Sequence, residues 1–81
     1  MYATVGSQSM RAYLVKFLYR EPTYAKVRGI ALRDYRASFE VSAPDPRSAE
    51  QQARERFAEA TERATVGWTR EIVFTKVLEV D

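Results

Sequence analysis

Neither cysteine nor histidine occurs in this chain of 81 residues. The absence of cysteine excludes a disulfide framework, and the absence of both residue types removes the usual ligands of zinc, haem and iron–sulfur centres. A serine–histidine or cysteine–histidine nucleophile pair is excluded for the same reason. We therefore expect no metal and no cofactor. The lack of cysteine also fits a reducing compartment, so we expect the protein to be cytoplasmic.

Glycine is scarce and long apolar runs are missing. The three glycines lie at positions 6, 29 and 67, too far apart for a loop that cradles phosphate. No run approaches the ~20 apolar residues that span a bilayer, so we expect no membrane partner. The carboxylates of Glu40, Glu71 and Glu79 fall on polar strand positions, and no spacing pairs them for acid–base chemistry. We expect no enzyme and no catalytic residue.

The length of the chain is enough for one domain with a thin core. Residues 1–9 are mostly small or polar and have no periodicity, so they are predicted as a tail of uncertain structure. Residues 10–81 are predicted as a single α+β domain.

Two segments in the first half have strand patterns. Arg11–Arg20 is rich in aromatic and β-branched residues and is apolar on both faces, which is typical of a central strand. Residues 35–42 alternate apolar and polar side chains, so one face is predicted to be buried. The segment between them is predicted as a protruding hairpin. Within it, residues 24–32 either extend the strands, with Gly29 at a bulge or bend, or form a loop.

A helix pattern follows the second strand. Asp45 suits the N-cap and Pro46 the first helical position, while Ser48 with Gln51 offers a second capping position. Gly67 lies where a left-handed residue is expected to end the helix. Apolar side chains recur on one helical face, at Ala49, Ala53, Phe57, Ala60 and Ala64.

The last segment, "WTREIVFTKVLEVD", is predicted as a third strand. One of its faces should carry Ile72, Phe74, Leu78 and Val80, and the other Val73 and Val77. Trp68 is predicted to pin the end of the helix onto the sheet. The order β-β-α-β then predicts an α+β fold with a three-stranded, mainly antiparallel sheet in strand order 2-1-3 and one helix on one face.

A single helix leaves the second face of such a sheet uncovered. Large apolar side chains on that face are expected to be buried by a partner, either a second copy in a homodimer or another protein. The candidate dimer face consists of Tyr13, Phe17, Val73 and Val77. In the opposite register, the exposed side chains are Leu14, Leu18 and Ile72.

Positive charge is concentrated in the front of the chain. Residues 1–36 hold seven Lys and Arg against two acids, and residues 37–81 hold six against nine. Tyrosines are mixed with these cations, and Tyr and Arg are enriched at protein-binding hot spots. The candidate partner-binding residues are Tyr19, Arg20, Tyr24, Lys26, Arg28, Arg33 and Arg36. The alternative is a nucleic-acid-binding protein whose cations in residues 16–36 pair with phosphates while the tyrosines stack on bases.

The motif "FEVSAPDPRSAEQQARERF" is a strand of pattern F-x-V-x-A followed by a capped, alanine-faced helix. It resembles small bacterial and phage proteins of β-β-α-β layout, among them some phage-encoded inhibitors of bacterial defence such as certain anti-CRISPR proteins. The resemblance covers residues 37–80 and assigns no functional residue. It implies a small non-enzymatic protein-binding module, an inhibitor or accessory protein that acts by occupying a surface.

Overall fold

The computed structural model describes residues 9–63 and 69–80. Its elements are β1 (Arg11–Arg20), α1 (Pro22–Arg28), β2 (Tyr35–Ala43), α2 (Pro46–Arg63) and β3 (Glu71–Val80). The strands form one sheet in the order β2-β1-β3, in which β1 pairs antiparallel with both neighbours. The predicted α+β fold, its strand order and the helix on one face are confirmed.

The core lies between the sheet and α2. Tyr13, Val15 and Phe17 of β1 point toward the helix and are almost wholly buried. They meet the buried side chains of β2 and α2, which are Val41, Ala43, Ala49, Ala53 and Phe57. Because side chains alternate along a strand, the intervening residues of β1 lie on the opposite face of the sheet.

The start of α2 is as predicted. Pro46 is the first helical residue, and the carboxylate of Asp45 accepts a hydrogen bond from the backbone N–H of Ser48 at 2.7 Å. This bond satisfies one of the N–H groups that a helix leaves free at its N-terminus.

The buried face of α2 departs from the prediction beyond Phe57. Ala60 is exposed, and Thr61 instead continues the four-residue spacing beyond Phe57. The Thr61 hydroxyl donates a hydrogen bond to the Phe57 carbonyl at 2.9 Å, which satisfies this partly buried polar group. The predicted roles of Ala64, Gly67 and Trp68 fall outside the described residues.

Side chains of α2 also bond to the backbone of β2. The Gln52 amide donates to the Ser42 carbonyl at 3.2 Å, and the Arg56 guanidinium donates to the Glu40 carbonyl at 3.0 Å. These bonds fix the helix along the outer strand as well as across the core.

The connection between β1 and β2 contains a helix, so the predicted hairpin is wrong. Pro22 begins α1, and Gly29 ends it at a φ of 66°, with its N–H bonded to the Lys26 carbonyl at 3.3 Å. Proline has no N–H to lose at a helix start, and glycine adopts positive φ without strain, so Gly29 is a helix cap and not a bulge. At the base of the connection, Arg20 pairs with Asp34 at 2.6 Å.

A bulge in β3 changes which side chains share a face. Leu18 pairs with Phe74, but the next residue of β1, Tyr19, pairs with Ile72, which leaves Val73 as an extra residue. Ile72 therefore packs against the core, while Phe74 lies on the other side of the sheet. The prediction that these two residues share a face is wrong for this reason.

Candidate partner-binding surface

The side of the sheet that faces away from α2 is called the open face below. No element in the described part of the chain packs over it. Going from β2 through β1 to β3, its successive rows are Arg36, Leu18 and Phe74; Ser38, Lys16 and Lys76; Glu40, Leu14 and Leu78; and Ser42, Ala12 and Val80.

Apolar side chains run along the open face. Phe74 is 60% exposed and Val80 is 41% exposed. Leu14, Leu18 and Leu78 beside them are half-buried by their neighbours in the sheet alone. Exposed apolar side chains on an uncovered sheet face are typical of a site that another molecule covers.

The candidate dimer face is wrong for three of its four residues. Tyr13 and Phe17 are buried beneath α2, and Val77 packs against the same core. Val73 is exposed at the bulge. The register found is the one that turns Leu14 and Leu18 outward, with Ile72 on the helix side. Because β1 is apolar on both faces, its own pattern did not indicate which face α2 would cover.

Three cations border the Phe74 end of the open face. Lys16, Lys76 and Arg36 line a depression of about 440 Å³ together with Leu18 and Phe74. No carboxylate lines this depression among the described residues. Lys16 and Lys76 are direct cross-strand partners, an arrangement of like charges that destabilises a sheet. This group of five residues is called the basic depression.

Several arginines elsewhere in the described ranges have acidic partners. The ion pairs are Arg11 with Glu79, Arg20 with Asp34, Arg54 with Glu50, and Arg70 with Glu21. No ion pair in those ranges joins a cation of the basic depression to a carboxylate. The positive charge of the depression is therefore not compensated from within the described fold.

The seven predicted partner-binding residues do not form one surface. The Tyr19 ring lies on the helix side, stacked on Tyr35 at 5.6 Å between centroids and edge-on to Phe57 at 5.0 Å. Arg20 is held in its ion pair with Asp34. These two residues therefore serve packing and loop closure.

The remaining predicted residues divide between two places. Arg36 lies on the open face. Lys26, Arg28 and Arg33 are exposed in or just after α1, and the Arg28 guanidinium lies 5.6 Å from the centroid of the half-buried Tyr24 ring. Residues 26–33, called the tip below, also expose the apolar side chains of Val27, Ile30 and Leu32.

Arg70 is a structural residue that the sequence did not reveal. Its guanidinium donates to the Glu21 carboxylate at 3.0 Å, and both side chains are largely buried. The same guanidinium lies 5.5 Å from the Tyr19 centroid and 5.7 Å from the Phe57 centroid. It ties the residue that precedes α1 to the residue that precedes β3. No local pattern could indicate this contact, because its partners are 49 positions apart.

The residues of the basic depression were also missed as a group. Lys16 and Lys76 each interrupt an otherwise apolar strand face, and this interruption was the available signal. Their direct pairing depends on the register between β1 and β3, which the sequence pattern did not supply.

Two negative findings apply to residues 9–63 and 69–80. In these ranges, no group of three carboxylates is close enough to hold a metal ion. No helix there has the length and apolar character needed to cross a membrane. The absence of a cofactor and of catalysis stays a prediction.

The chain matches no protein-family model, no curated protein and no solved structure. The resemblance to phage-encoded inhibitors therefore stays a prediction.

Proposed function

We propose that this protein is a small non-enzymatic binding protein and that its open face contacts the partner. One observation carries the proposal: the Phe74 ring is 60% exposed on a sheet face that no described element covers. Burying apolar surface contributes about 25 cal/mol of free energy per Å². A partner that covers Phe74 and its leucine neighbours therefore gains affinity from surface that the fold already exposes.

A protein partner is the first form of this proposal. Its apolar side chains would pack on Leu14, Leu18 and Leu78. Its acidic groups would meet Lys16 and Lys76, which form the row between Leu18 and Leu14. An inhibitor or accessory protein of phage type would act in this way, by occupying a surface of its target.

A nucleic-acid partner is the second form, and the basic depression favours it. An exposed aromatic ring beside three cations is complementary to nucleic acid, because the ring can stack on a base while the cations contact its phosphates. The nucleic-acid contacts would then lie on the open face, whereas the sequence pattern spread them over residues 16–36, which include the tip.

Site-specific photo-crosslinking tests the proposal in cells that express the chain. A benzophenone amino acid replaces Phe74 on the open face, Val27 on the tip, or Gln51 on the exposed side of α2 as a background control. We expect adducts from position 74 above the background of position 51. Digestion with nuclease or protease then identifies the class of the partner.

Two outcomes contradict the proposal. Adducts from position 27 alone would show that the partner contacts the tip and not the open face. Adducts from none of the positions would leave the open face without a partner.

A further inference from the structure

We propose that the occupant of the open face is single-stranded nucleic acid. In this arrangement Phe74 stacks on a base, and Lys16, Lys76 and Arg36 contact phosphates. The inference rests on the proposed function, because it names the partner class of the same face.

The distribution of the cations indicates an extended polyanion. Each strand of the sheet contributes one cation, Arg36 from β2, Lys16 from β1 and Lys76 from β3. A chain that crosses the strands therefore meets positive charge on every strand. Nucleic acid carries a phosphate in each repeating unit, so it can meet all three cations along one path.

The pairing of Lys16 with Lys76 favours an anion between them. The two residues are direct cross-strand partners, and side chains in that relation have Cβ atoms about 4.5–5.5 Å apart. No described carboxylate lines the depression to separate the two charges. A phosphate that contacts both ammonium groups adds two attractions, which offset the repulsion between the lysines.

Phe74 supplies the feature that a simple anion site lacks. Its ring is mostly exposed and belongs to the row adjacent to the two lysines. Aromatic rings on a sheet surface stack on unpaired bases, and this contact tolerates any base because each has a flat face. The combination predicts binding with little sequence preference.

The shape of the site favours a single strand over a duplex. In a duplex the flat faces of the bases are stacked inside the helix, and proteins read the duplex by inserting a helix or a ribbon into a groove. The open face is a sheet surface with a depression, and it presents neither a helix nor a ribbon that could enter a groove. Unpaired bases can lie flat on it.

Fluorescence anisotropy with a labelled twenty-nucleotide oligo-dT and oligo-rU tests the inference on the full chain. We expect micromolar or tighter binding at about 50 mM salt. The slope of log affinity against log salt should be about −0.7 per phosphate neutralised. A duplex of the same length should bind more weakly.

Three open-face variants separate the two contributions. Lys16→Gln and Lys76→Gln should each reduce the salt slope by about 0.7, the share of one phosphate. Phe74→Leu keeps an apolar side chain and should weaken binding by about 5- to 150-fold without changing the slope. This is the loss expected for one base–aromatic stack. The matched controls Lys26→Gln and Arg33→Gln remove the same charge at the tip and should bind like the wild type.

The outcomes are distinct for the two proposals. No binding of either oligonucleotide at low salt overturns this inference, and so does loss of binding in the tip variants alone. Equal binding of polyglutamate, unaffected by Phe74→Leu, also overturns it, because that result describes a non-specific cation patch. If position 74 crosslinks to protein while oligonucleotides fail to bind, the proposed function stands and the nucleic-acid assignment fails. If position 74 gives no crosslink and neither oligonucleotide binds, both the proposed function and the nucleic-acid assignment are contradicted.

Discussion

At the scale of single residues, Phe57 is the side chain on which the core converges. Its ring lies 5.4 Å from the Phe17 centroid and 5.0 Å from the Tyr19 centroid. It is 5% exposed, and the Arg70 guanidinium lies over it. Among the described residues, it is the one large apolar side chain that α2 buries. Removing it would therefore leave a cavity between the helix and the sheet.

We expect Phe57→Ala to lower the free energy of unfolding by about 3–5 kcal/mol. This is a large part of the roughly 5–15 kcal/mol that holds a typical domain together. Urea denaturation followed by circular dichroism measures the change. The matched control is Phe74→Ala, which removes the same atoms from an exposed site and should change the value by about 0.5 kcal/mol or less. An equal loss in both variants would place Phe74 in the core.

Several individual residues were predictable and others were not. The four-residue spacing of Ala49, Ala53 and Phe57 identified the buried face of α2 correctly. The same spacing could not show that Ala60 turns away while Thr61 continues the contact. Arg70 was unpredictable, because its importance comes from a distant partner, Glu21.

At the scale of elements, the N-terminus of α2 couples stability to pH. The Asp45 carboxylate accepts the Ser48 N–H, and this hydrogen bond holds the pKa of Asp45 below its usual value of 3.8. A carboxyl whose folded pKa is depressed stabilises the fold above its unfolded pKa. That stabilisation is lost as the pH falls through the folded pKa.

We expect Asp45→Ala to lower the unfolding temperature at pH 7, and the difference from wild type to shrink below about pH 4. Thermal unfolding at a series of pH values measures it. Asp45→Asn is the control, because asparagine caps a helix without titrating and should stay near wild type at neutral pH. A difference between the alanine variant and wild type that is the same at pH 3 and pH 7 would show that the charge is not involved.

The elements differ in how far the sequence determined them. The three strands and α2 have long patterns, and all four were predicted. The helix α1 has only seven residues, too few for a period to appear, and its tyrosine and valine favour a strand. Its true signals were Pro22 and Gly29, the start and stop residues of a helix. The bulge at Val73 has no comparable signal in the strand pattern.

At the scale of the whole molecule, the open face determines what can pair with it. A second copy is a poor occupant when the two-fold axis passes close to Lys16 on the central strand, because that pairing brings the cations of both copies together. We therefore expect sedimentation at high micromolar concentration and low salt to give one species with the mass of a single chain. A species of twice that mass would reverse this expectation and support the homodimer.

Which face of the sheet α2 covers depends on the whole molecule, because the pattern of no single element determines it. The alternation in β2 indicated its own buried face correctly, since Phe39 and Val41 face the core. For β1, only the pairing with β2 determines which face is buried. It places Val15 opposite Phe39 and so turns Leu14 outward. The sequence therefore predicted that an open face exists, but not which residues form it.

The two outer strands of the sheet are protected to different degrees. Carbonyl groups of β2 are occupied by Gln52 and Arg56 of α2, whereas β3 pairs with β1 on one side only. An unpaired edge on a long apolar strand is a template for the same strand of another molecule, which is how fibrils grow. Lys76 is the only positive charge within β3, and a charge in such a strand opposes stacking in register. The lysine proposed above to contact a phosphate would therefore also oppose aggregation along the edge of β3.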